Sequence, residues 1–74
     1  MIHIISKPAV IEESRVRAGL SRRRLSLIAG IDPATVCKLE NGERHVTPAT
    51  AKAVAEALNR EMTELFTLST EVKR

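Results

Sequence analysis

Aromatic side chains are almost missing from this sequence, with Phe66 the one aromatic among 74 residues. The core must therefore be assembled from Leu, Ile, Val, Ala and Met, a composition that suits a helical bundle, and Phe66 is expected inside it. The same scarcity argues against single-stranded RNA as a ligand, because that mode of binding stacks bases on exposed rings. Cysteine is as rare. Cys37 stands alone, so no internal disulfide forms and the chain fits a reducing cytoplasm. His3 and His45 are the only histidines; they lie far apart, and with one cysteine they make no metal-ligand spacing. No second acid or histidine stands where general acid–base chemistry needs one, so neither an enzyme, a cofactor, a metal nor a small-molecule substrate is expected. No apolar run approaches membrane-spanning length, and residues 1–5 are too short and lack the basic lead of a signal peptide.

What the sequence has is 43% hydrophobic residues and a net charge of +3 placed unevenly. A chain this short makes one small domain with a modest core. Residues 14–24 hold Arg15, Arg17, Arg22, Arg23 and Arg24 with no acid, while residues 56–71 hold Glu56, Glu61, Glu64 and Glu71 against Arg60. A molecule with one basic end suits a polyanion, although a solvated arginine face alone would be ordinary.

Residues 21–42 organise the rest. Ser21 is a helix cap, Leu25, Ile28 and Ala29 recur at helical spacing and are expected to face inward, and Gly30 is the residue type that closes a helix. The chain restarts at once with Asp32 as a cap and Pro33 at the first helical position; Val36 and Leu39 continue the apolar face until Asn41 and Gly42 end it. The result is helix, tight turn, helix. The outer edge of the second helix carries Pro33, Ala34, Thr35, Cys37 and Lys38, small residues with one cation, and such a face can lie deep in a DNA groove.

Around this unit, the isoleucines of residues 1–6 favour an extended strand. Pro8 opens a first helix with Ile11 and Ala18 inward and Gly19 at its end. Residues 43–46 are a polar loop anchored by Val46. Thr47 and Pro48 start a fourth helix with Ala51, Val54, Ala55 and Leu58 inward, and Asn59 stops it. Met62, Leu65 and Phe66 are expected to form a short fifth helix. Leu68, Thr70 and Val72 make a second strand-like run, able to pair with the first in this chain or in a second copy. The parts are thus an arm (1–7), a helical domain (8–66) and a tail (67–74).

Through "GLSRRRLSLIAGID", "ATVCKLENGER" and "AKAVAEALNREMTELF", the sequence resembles the Cro and phage-repressor family of helix-turn-helix proteins from about residue 11 to residue 66. The most specific piece is Leu39-Glu40-Asn41-Gly42 nine residues after Gly30. The resemblance implies an all-α, five-helix DNA-binding domain, here with strand-forming ends, that reads the major groove of double-stranded DNA and regulates transcription, as a homodimer on paired half-sites. It also implies base contacts from Pro33, Ala34, Thr35 and Lys38, with Cys37 at the margin, and backbone phosphate contacts from Ser21, Arg22, Arg23, Asn41 and Arg44. Arg15 and Glu40 are expected to form a structural ion pair. Three departures stand out. Arg22 replaces the usual glutamine, and a phosphate grip is preferred there over a guanine fork because a helix start lies along the backbone. Ser14 replaces a leucine, weakening the core or bonding back to a carbonyl one turn earlier. Leu27 lies off the inner face, either as a singly exposed leucine or as part of a partner surface shared with Val16 or the terminal strands. The competing function is a protein-binding module of antitoxin type on the same fold, for which an eight-residue tail is short.

Overall fold

Five helices lie between two short strands that close on each other. The computed structural model describes residues 2–70; Val72, part of the expected second strand, lies outside them. The elements in order are β1 (Ile2–Ser6), α1 (Pro8–Arg17), α2 (Arg22–Ala29), α3 (Pro33–Asn41), α4 (Pro48–Leu58), α5 (Met62–Leu65) and β2 (Phe66–Thr70).

Local chemistry sets most boundaries. The Ser21 hydroxyl accepts from the Arg24 amide at 3.0 Å, and the Thr47 hydroxyl accepts from Thr50 at 3.2 Å. Proline opens α1, α3 and α4, where its missing N–H costs no helical bond. Asn59 takes a left-handed conformation (φ 56°) to end α4. Asp32 departs from expectation. It holds the N-cap position of α3, but its side chain makes no cap bond. Its carbonyl alone accepts, from Thr35 and Val36 at 3.0 and 3.2 Å, so extended backbone and the fixed φ of Pro33 start the helix without help from the carboxylate.

Ile11, Leu25, Val36, Leu39, Ala51, Val54, Leu65 and Phe66 form the fully enclosed centre of the core. Two expected inward positions point elsewhere. Ile28 is 52% exposed, and Ser26 is buried beside Leu25 in its place, so the inward edge of α2 runs through Leu25 and Ser26. Ala18 caps α1 and is exposed, because the inward stripe of that helix runs through Ile11 and Ser14 and stops short of it. Ser14 is buried, and among the described residues the hydroxyl-to-carbonyl bond expected of it occurs instead at Ser26, which donates to Arg23 O at 2.6 Å.

Phe66 is buried as expected but not on a helix. With φ −135° and ψ 148° it is extended and begins β2. A single turn such as α5 has few bonds of its own, and the threonines that follow favour strand. β1 and β2 pair antiparallel with Ile2 opposite Thr70, His3 opposite Ser69, Ile4 opposite Leu68, Ile5 opposite Thr67 and Ser6 opposite Phe66. The other edge of β1 is occupied too. Val46 N–H donates to Ile4 O at 3.1 Å, Ser6 N–H to Glu43 O at 2.8 Å, and Glu43 N–H to the Ser6 hydroxyl at 2.7 Å. The opening arm is therefore stitched between β2 and the loop that follows α3, and Ile4 is part of the core. Two-stranded ribbons are marginal alone, and this packing supplies the support.

Candidate nucleic-acid interface

The turn between α2 and α3 is short because Gly30 adopts φ 73°, a conformation that a Cβ disfavours. The amides of Gly30 and Ile31 both close onto Ser26 O, the second at 2.9 Å. This C-terminal lock on α2, followed at once by Pro33, fixes the angle at which α3 leaves.

On α3, Val36, Leu39 and Glu40 face inward. The opposite edge is open: Pro33, Ala34 and Lys38 are exposed, and Thr35 and Cys37 are half-buried beside them. The five expected base-reading residues thus occupy the broad arc of the helix left uncovered by the Val36, Leu39 and Glu40 face, with Pro33, Ala34 and Lys38 the most open. Cys37 Sγ also accepts from Asn41 Nδ2 at 3.6 Å, which ties Asn41 to its own helix.

Glu40 is the hub behind this surface. Its side chain is only 1% exposed and holds two arginines. Arg15 donates through Nε to Oε2 at 2.6 Å and through Nη2 to Oε1 at 3.3 Å, and its Nη1 reaches Leu20 O at 2.7 Å. Arg22 donates through Nε to Oε1 at 2.9 Å. The expected Arg15–Glu40 pair is present as a fork, and a second arginine, Arg22, joins it on the same carboxylate. Arg22 stands at the first position of α2, so Glu40 joins the end of α3 to α1 and to the start of α2 together. The bond to Glu40 pushes the Arg22 guanidinium above its usual range. Half of the Arg22 side chain remains exposed. A sequence signal existed in the basic residue at the helix start, but nothing in the spacing names its partner.

Of the other residues expected at phosphates, Ser21, Arg23 and Arg44 are exposed. Ser21 uses its hydroxyl oxygen for the cap and keeps the hydroxyl hydrogen to donate. Arg44 lies on the loop after α3. Near it, Thr35, Lys38 and His45 line a hollow of about 160 Å³ beside the open edge of α3. Among the described residues no group of three or more His, Cys, Asp or Glu is placed to hold a metal, and no helix is long and apolar enough to cross a membrane.

Two short helices locked at a fixed angle, with the second presenting small residues and a lysine outward, define a helix-turn-helix DNA-binding domain. The chain belongs to the helix-turn-helix family, whose pattern it matches over residues 11–65, and it is a DNA-binding transcriptional regulator of the Cro/CI-like type. Its structure is similar to that of the restriction-modification controller protein C.AhdI from Aeromonas hydrophila, with a TM-score of 0.73 and 34% sequence identity over 80% of this chain and 89% of that one. No curated protein sequence matches it.

Proposed function

We propose that this regulator binds duplex DNA as a homodimer, each copy laying the open edge of α3 in the major groove of one half-site. It acts in the cytoplasm, without catalysis, and controls transcription in the manner that the name of its Aeromonas relative suggests, as a controller protein. The observation that carries this reading is the exposure of Pro33, Ala34 and Lys38 on a helix whose far side is clamped by Glu40. A reading helix held from behind loses little further freedom on binding.

In this reading Lys38 donates to guanine O6 and N7, and Ala34 and the Thr35 methyl pack on a thymine methyl, with Pro33 and Cys37 shaping the contact. Ser21, Arg23, Asn41, Arg44 and the exposed part of Arg22 hold phosphates. With one long polar side chain at the bases, direct readout is thin, and DNA shape supplies part of the specificity. Residues 8–66 bear these contacts, and the arm and tail support them.

Selecting bound sites from a pool of random duplexes tests the proposal. A palindrome with half-sites about one helical turn apart is the expected outcome. Unrelated sequences, together with a monomer by sedimentation on the bound duplex, would remove it and favour a protein-binding role.

A further inference from the structure

The ribbon of β1 and β2 has two faces. Ile4, Ser6 and Phe66 point into the bundle, and the alternation places His3 and Ile5, with Ser69 and Thr67 opposite them, on the other face. That outer face leans on the loop after α3. His3, Ile5, Arg44, His45 and Ser69 surround a hollow of about 190 Å³, and His45 also lines the hollow beside Thr35 and Lys38. His45 borders both hollows, so donor-bearing side chains line the surface on either side of it, from Thr35 and Lys38 on α3 to Arg44, His3 and Ser69 at the ribbon. Glu43, the acid along this surface, lines the first hollow but not the second.

We propose that this second hollow seats a backbone phosphate of the DNA flanking the base-contacted site. The inference rests on the reading of α3 as the groove-entering helix. Arg44 supplies the fixed charge, the two imidazoles donate N–H groups, and Ser69 donates its hydroxyl, the donor types that serve phosphate oxygens elsewhere. The terminal ribbon then has a direct part in DNA binding besides covering the core. His3 is the informative residue, because it lies far from the helix-turn-helix in sequence and reaches this surface only through strand pairing.

The test compares two duplexes recovered from the random pool, one with native flanks and one trimmed at the edge of the base-contacted site, by fluorescence anisotropy at fixed salt. Wild type should bind the flanked duplex about threefold to tenfold more tightly than the trimmed one, the range for one net hydrogen-bonded contact. His3→Ala and Ser69→Ala should each reduce that ratio while leaving the trimmed duplex bound as by wild type. Circular dichroism melting checks each fold, and two positions on one cross-strand pair keep the readout if one variant unfolds. A ratio unchanged in both variants, or a wild type indifferent to trimming, overturns the proposal while leaving α3 as the reading helix; failure to bind either duplex overturns both. In a parallel arm, inorganic phosphate alone at constant ionic strength should leave the two histidine ring resonances unmoved. Saturable shifts there without a trimming effect would reassign the hollow to a small free anion.

Discussion

Arg15 and Glu40, 25 positions apart, meet through two nitrogens and two oxygens in a fork whose carboxylate is almost wholly enclosed. This contact ties the first helix to the end of the reading helix. Taking away the arginine leaves a buried carboxylate with a half-exposed partner, so Arg15→Ala should cost about 3–5 kcal/mol of stability. In a double-mutant cycle with Glu40→Ala, urea denaturation should return a coupling of about 1–3 kcal/mol. Coupling near zero would mean that the fork does not hold α3.

Arg22 shares Glu40 but stands half in water, where ion pairs contribute little. Arg22→Ala should therefore lower stability much less than Arg15→Ala does, while weakening DNA binding through loss of the phosphate contact proposed for it. A loss as large as that of Arg15→Ala would show Arg22 to be a structural residue first.

Base and backbone contacts separate by their dependence on sequence and salt. Lys38→Ala should change which duplex is preferred. Arg44→Ala should weaken all duplexes about equally and lower the salt slope by about one ion. Uniform weakening by both substitutions in a competition assay would take Lys38 away from the bases.

The arm divides between a core residue and an overhang. Ile4 is 7% exposed and Ile2 62%. Ile4→Ala should cost about 2–4 kcal/mol by thermal or urea unfolding, whereas Ile2→Ser should stay within about 0.5 kcal/mol. Equal effects would contradict the stitched ribbon.

These residues also show how far the sequence reveals the fold. Ser21, Thr47, Asn59 and the three prolines act on their immediate neighbours, so the ends of α2, α3 and α4 were readable from local chemistry. The exposure of Ile28 is not legible because an eight-residue helix offers two turns of pattern, too few to decide which edge its neighbours cover. The burial of Phe66 follows from its size, but its place in a strand rather than a helix depends on a pairing partner sixty residues away. At the interface, the outward residues of α3 followed from helical periodicity and the Arg15–Glu40 pair from family resemblance. The Arg22–Glu40 contact, and the hollow that His3 shares with Arg44 and His45, join distant segments and have no signature in spacing.

The outer edge of α3 is the surface proposed to contact DNA. Mapping backbone amide resonances of the labelled protein during titration with a duplex measures this most directly, because it needs no prior choice of mutant. The largest shifts are expected at Ala34, Thr35, Cys37 and Lys38, and at Arg44 and His45 on the following loop. Shifts centred instead on the exposed Val16, Leu27 and Ile28, with α3 unmoved, would contradict the account.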